Sequence, residues 1–208
     1  IAVFFWSTIP TAFKICLNEL EILPMLTIAS FTSAISLFLI LAFEKKIQLI
    51  GKSTVREIIS SAVLGLINPF IYYIILLKAY QILPAQVAQP LNMIWPVILV
   101  FLSVPLLGQK IHTRSFIALF ISFAGVYIIS SQGNLFQAGR SDLKGVLLAT
   151  GSSIFWAVYF IFNVRDKRDE AVKLFLNFTF GFIYLIIFMI FTKYSQPGGY
   201  GFRGIISA

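Results

Sequence analysis

Residues 84–101 read PAQVAQPLNMIWPVILVF. From Val97 onward the run suits the inside of a bilayer, yet Gln86, Gln89, Asn92, Trp95 and the prolines Pro84, Pro90 and Pro96 stand among or just before those apolar residues. Placed on a helix at 100° per residue, Gln86, Gln89, Asn92, Met93 and Pro96 share one side. An amide facing lipid would leave donors and acceptors unpaired at about several kcal/mol each, so that side is expected to face the inside of a bundle or a wet cavity. The prolines withhold backbone N–H groups and release carbonyls, which is tolerable where neighbours, water or a ligand can use them.

The rest of the chain is of the same kind. Of its 208 residues 59% are hydrophobic and 12% charged, where a soluble domain has about half and a quarter. Apolar runs at 1–17, 25–43, 58–77, 86–107, 115–131, 146–162 and 174–192 are each of about the length that crosses a bilayer as a helix, and another starts at Ile205. No alternation of period two marks a barrel, so the fold expected is an all-α, multi-span helical bundle. Short connections fit antiparallel neighbours. With no initiator methionine and an apolar run restarting at the end, the chain reads as a fragment cut inside a span at both ends.

Charge is placed by loop. Loops 44–57, 108–114 and 163–173 hold ten basic residues and the alternate loops five, which puts the first set, and the start of the chain, on the cytoplasmic side of a cell membrane. The net charge of +8 is therefore a topology signal, and the run Arg165–Arg168, alternating with acids, suits a lipid surface better than nucleic acid. Partners expected are the lipid bilayer and a small-molecule metabolite, with no nucleic acid; a homodimer stays open.

Two further spans carry stripes that match the first. Ser61, Gly65, Asn68 and Tyr72 align on the third, beside Pro69; Gly145, Ala149, Ser152, Trp156, Tyr159 and Asn163 align on the sixth. Three polar and aromatic stripes converging in a bundle describe a central solute site, with flat apolar walls from Trp and Tyr and uncharged amides to orient a polar solute. The competing reading is that the same amides only join helices. The fifth span offers a small-residue seam of Ala118, Ser122 and Gly125, which reads as packing. Trp6 in VFFWSTIP and Trp156 in SIFWAVYF superpose at similar depth, the sign of an inverted repeat whose site lies between its halves.

The segments FWSTIPTAFK, YYIILLKAYQILPAQVAQPLNMIWPVILVFLSVPLLGQKI, FIALFISFAGVYII and LKGVLLATGSSIFWAVYF resemble the drug/metabolite transporter superfamily, specifically its EamA-like members. The resemblance implies a ten-helix fold of two inverted five-helix repeats that carries small metabolites across the cytoplasmic membrane, often outward. Residues 1–131 would then form the first repeat and 132–208 the start of the second. Gln109 stands where many relatives have an acid, and TIASFTSA lacks the arginine that many have in the second span, so no mechanism is built on charge at those positions.

The expected function is transport, as export or exchange, of a small polar or amphipathic metabolite such as an amino acid by alternating access. Trp6, Lys14, Asn68, Tyr72, Gln86, Gln89, Asn92, Trp156, Tyr159 and Asn163 are the expected substrate-binding residues. All eight acids lie in or beside loops, so no buried carboxylate is available for ion coupling. Lys14 is the one charge well inside a span; it either snorkels to the outer interface or meets an anionic group of the solute. An enzyme would need a buried base, a nucleophile or a metal cluster. The chain offers one cysteine and one histidine, and neither metal nor cofactor is expected. A non-transporting structural or assembly subunit is the remaining alternative. The sequon at Asn177 lies inside a span and PGGYG at 197–201 lacks the Lys-Ser/Thr of a phosphate loop, so neither is read as a site.

Overall fold

The computed structural model describes residues 2–108 and 142–194 and seven positions between 117 and 128; of residues 2–7 and 193–194 it describes the backbone alone. The expected fifth span, 115–131, with its seam, lies largely outside the described residues. The chain runs through α1 (Ala2–Glu19), α2 (Ile22–Phe43), the single turn α3 (Gln48–Gly51), α4 (Val55–Gly65), a π-helical stretch Leu66–Ile71, α5 (Tyr72–Ile82), α6 (Ala85–Asn92), α7 (Trp95–Leu107), α8 (Leu143–Arg165) and α9 (Glu170–Tyr194). No strand occurs among the described residues. Ile22–Phe43, Val55–Ile82, Ala85–Leu107, Leu143–Arg165 and Glu170–Thr192 are long and apolar enough to cross a bilayer. This is the all-α multi-span architecture expected.

Helix ends follow local chemistry. Thr54 opens α4 with a reciprocal box in which its hydroxyl accepts from the Glu57 N–H and its own N–H donates to the Glu57 carboxylate at 2.7 Å. Asp142 opens α8 by accepting from the Lys144 and Gly145 N–H groups. Gly108 closes α7 at φ 67°, a left-handed conformation that glycine adopts without a Cβ penalty. Two spans are broken in mid-course. Asn68 takes an extended conformation inside the π-helical stretch, where Pro69 has no N–H to give. The second break falls at Met93 and Ile94, just ahead of Pro96 in the first turn of α7.

α9 lies against α2 and α4, while α8 lies against α5, α6 and α7. A methyl group built on Gly145, near the start of α8, would overlap Ile82 and Leu83, and Arg165 at its end donates to the Leu106 carbonyl; α8 thus runs antiparallel to α5 and along α6 and α7. The outer faces of α2 and α9 carry exposed Phe31, Phe38, Ile187 and Phe191, the surface a lipid solvent requires.

Loops 44–57 and 163–173 meet at one end, as their charges suggested. Lys46 pairs with Glu44 at 2.6 Å and with Asp169 at 2.8 Å, while Arg168 chelates Asp166 and donates to the Ser61 hydroxyl at 2.7 Å. Burial pushes the Asp166 carboxyl up, but its hydrogen bonds from Arg168 outweigh this and hold it below the usual range. The hydrogen bond from Lys46 likewise lowers Asp169. A group with a depressed folded pKa stabilises above its unfolded value and loses that contribution as pH falls through the folded one.

α4 and α9 approach closely: a methyl group on Gly65 would stand 2.5 Å from the Asn177 carbonyl oxygen, and one on Gly181 would strike Pro69. Gly65→Ala is therefore expected to lower thermal stability by about 1–3 kcal/mol through overpacking, whereas Gly51→Ala, whose methyl meets nothing within 4 Å, should melt like the parent in detergent. In the same assay, stability should fall as pH drops below about 4, the ordinary aspartate range, and the fall should be smaller in Asp169→Asn.

Candidate functional site

α5 starts immediately after the π-helical break, and its turn spacing places Tyr72, Leu76 and Tyr80 in one row with Tyr73 beside them. These residues line an open, shallow hollow. Ile9 and Phe13 of α1 form a second wall, Gln89, Asn92 and Met93 a third, and Trp95 and Trp156 close it. No charged side chain is among the lining residues. The break after α6 explains the third wall, since in an unbroken helix Pro96 would point with Asn92 and Met93. Instead Trp95 enters the hollow and Pro96 is exposed.

The rings form a connected wall. Tyr72 and Trp156 lie 4.9 Å apart between centroids, Trp156 stands edge-on to Trp95 at 6.3 Å, and Phe13 meets Tyr73 edge-on at 5.8 Å, all within the range of favourable aromatic pairs.

Hydrogen bonds fix the amides. The Tyr72 hydroxyl donates to Asn92 Oδ1 at 3.1 Å, and Asn92 Nδ2 donates to the Ser152 hydroxyl at 2.9 Å. The Ser152 hydroxyl donates to the Ala149 carbonyl at 2.6 Å, and Ser153 donates to the Asn92 backbone carbonyl at 2.8 Å. Asn92 and Ser152 are buried, so α5, α6 and α8 are tied by one chain of bonds in an apolar interior. The Tyr80 hydroxyl likewise donates to Gln89 Oε1.

The expected residues divide into groups. Tyr72, Gln89, Asn92 and Trp156 come together around the hollow. Asn68, Tyr159 and Asn163 gather one turn away, toward the ion-paired end. There the Tyr159 hydroxyl accepts from Asn177 Nδ2 at 3.3 Å, while Asn163 Oδ1 accepts from Asn177 Nδ2 at 3.4 Å. Gln86 is exposed in the first turn of α6 and joins neither. Lys14 is half-buried, and its ammonium donates to the Tyr80 and Leu83 carbonyls at the C-terminal end of α5, 3.1 Å away for the latter, where a cation is favoured. The side chain of Trp6 lies outside the described residues. Phe13, Tyr73, Tyr80 and Asn177 were not foreseen. The spacing of Tyr73, Leu76 and Tyr80 was a legible helical row; Asn177 was passed over as a false glycosylation site.

Comparison with known proteins bears on this arrangement. The sequence model of a family described as the EamA-like transporter family matches residues 1–131. Over 131 residues the chain is 28% identical to the "Uncharacterized transporter YvbV" of Bacillus subtilis, covering 62% of this chain and 42% of that protein. Over 94 residues it is 29% identical to an "Uncharacterized transporter" of Archaeoglobus fulgidus, covering 44% of this chain and 32% of that one. The chain thus spans under half the length of both relatives. No solved structure matches it.

Tyr72→Phe would leave Asn92 Oδ1 buried without its donor, at a cost of about 1–3 kcal/mol. Asn92→Ala, which strands both Tyr72 and Ser152, is expected to cost more. In thermal melts the double variant should be less destabilised than the sum of the two singles.

Proposed function

Since the chain belongs to the EamA-like transporter family, we propose that it takes part in moving a small polar or amphipathic metabolite across the cell membrane by alternating access. The class favoured is an amino acid or a molecule of similar size and polarity, carried outward or in exchange. The observation that supports this reading most is the hollow itself, with rings from α1, α5, α7 and α8 set around the amides Gln89 and Asn92. Its aromatic walls offer a solute apolar contact, and the amides offer neutral polar contact to fix orientation.

The proposal extends to the plan of the chain. Residues 1–131 form the first repeat and 132–208 open the second, with the N-terminus on the cytoplasmic side. The common end of loops 44–57 and 163–173, held by Lys46 and Asp169, supports that orientation because it gathers basic residues together. The uncharged lining among the described residues favours facilitated movement or exchange over a cycle driven by a carboxylate in the hollow.

The test is solute counterflow in liposomes containing the full-length protein, with a panel of labelled amino acids and neutral metabolites. One class is expected to exchange, and Trp156→Ala should lower its uptake about tenfold, the equivalent of about 1.4 kcal/mol of lost ring contact. If no class exchanges, or if folded Trp156→Ala exchanges like the parent, the reading fails.

A further inference from the structure

α1 meets the rest of the described bundle along one narrow stripe. Phe13 and Leu17 pack against the buried core, while Thr11, Ala12, Ile15, Cys16 and Asn18 are exposed. Yet α1 supplies one wall of the hollow, through Ile9 and Phe13. A wall held along so narrow a stripe needs a tie, and half-buried Lys14 stands in that stripe beside Phe13.

The backbone that receives the tie explains it. In a continuous helix the Tyr80 carbonyl would accept from the N–H of residue 84, but that residue is Pro84 and has none. Ahead of the proline Leu83 turns extended, at φ −105° and ψ 152°. The first backbone bonds of α6, from Val87 and Ala88, then go to the Pro84 carbonyl. The Tyr80 and Leu83 carbonyls are left over, and both accept from the Lys14 ammonium, the latter at 3.1 Å. Among the described residues no carboxylate pairs with Lys14, so its charge is held by carbonyl dipoles at the negative end of α5. A cation in a span ordinarily reaches for headgroups or water; this one reaches across to another helix.

What it grips belongs to the hollow. Tyr80 gives its carbonyl to Lys14, sets its ring edge-on to Phe13 at 6.3 Å between centroids, and donates its hydroxyl to Gln89 Oε1. Tyr80, Phe13 and Gln89 all line the hollow, and Lys14 does not. We infer that Lys14 is a positioning residue: by filling the two carbonyls that the junction before Pro84 leaves open, it holds the α1 wall of the hollow against α5 and the start of α6. Without its donors Ile9 and Phe13 would draw away from the other walls and leave the hollow wider and wetter. The consequence for solute affinity rests on the transport reading above; the placing of the wall does not.

The experiment is hydroxyl-radical labelling of full-length protein in detergent, read residue by residue by mass spectrometry, beside counterflow in liposomes. In Lys14→Met, which keeps the chain length and removes the donors, labelling of Tyr73, Trp95 and Trp156 should rise severalfold. Tyr184, which lies on α9 and donates to the Ala62 carbonyl, should label as in the parent. Lys14→Arg, which keeps charge and donors, should restore the parent pattern, and exposed Lys78→Met should leave it undisturbed. In counterflow Lys14→Met should raise KM about tenfold, or about 1.4 kcal/mol, for neutral and charged solutes alike, with a smaller change in maximal rate. Should Tyr184 labelling rise as well, the fold is lost, and Lys14→Gln, whose shorter amide cannot span both carbonyls, takes its place under the same criteria. Parent-like labelling of the hollow rings overturns the inference, and so does a KM rise confined to anionic solutes, which would make Lys14 a contact of the solute itself. A parent protein that exchanges nothing sinks the transport reading alone, and the labelling still decides the wall.

Discussion

In a hydrocarbon solvent every buried polar group must find its partner inside the protein, and around Asn92 that requirement ties the described bundle together. Its carboxamide accepts from Tyr72 on α5 and donates to Ser152 on α8, and the Asn92 backbone carbonyl accepts from Ser153. None of these groups could turn toward lipid without leaving the others stranded at a cost comparable to a lost buried hydrogen bond. The hollow is consequently built against a fixed backing: Tyr72 and Asn92 face it and are also held from behind. A wall made of side chains locked by their own hydrogen bonds keeps its shape better than one made of free rotamers.

The two interrupted spans do different things with the same defect. At Met93 and Ile94 the interruption rotates α7 relative to α6, so that Trp95 enters the hollow and Pro96 leaves it. At Leu66–Ile71 the π-helical stretch shifts the register between α4 and α5. Asn68 and Tyr72, four residues apart, would share a helical face; across the stretch they part, Tyr72 to the rings of the hollow and Asn68 to a buried position that does not line it.

That parting marks where sequence reading stops. Hydropathy was enough for five of the expected spans: the runs at 25–43, 58–77, 86–107, 146–162 and 174–192 lie within the observed apolar helices, whereas the run at 1–17 forms a helix that is not among them. The stripe on α8 was legible for the same sort of reason. α8 is unbroken, so Gly145, Ala149, Ser152, Trp156 and Tyr159 keep the helical spacing, and four of these five are buried while Trp156 lines the hollow. The stripes on the broken spans were legible only up to each break. A proline announces that a helix will be disturbed, but the angle of the disturbance depends on which neighbour fills the space. For Gln86 that angle ends in an exposed position, and for Lys14 the decisive partners, the Tyr80 and Leu83 carbonyls, lie over sixty residues away.

The contrast between one continuous helix and two interrupted ones also constrains how the bundle can move. α8 carries groups of both clusters on a single rigid rod: Ser152 and Trp156 serve the hollow, Tyr159 and Asn163 the amide cluster, and the Trp156 and Tyr159 rings lie 5.8 Å apart. The partners around each cluster sit on segments that adjoin a break, α5 and α6 for the hollow, the Asn68 turn for the amides. A shift of α8 along its axis would therefore disturb both clusters at once, whereas a pivot at either break would disturb mainly one. At the ion-paired end the Lys46 and Asp169 bridge joins the segment after α2 to the segment before α9, and α8 is anchored there through Arg165 and the Leu106 carbonyl. α8 is thus tied at that end, while each of the two breaks lies next to residues of one cluster, Met93 and Trp95 beside the hollow and Asn68 within its own break.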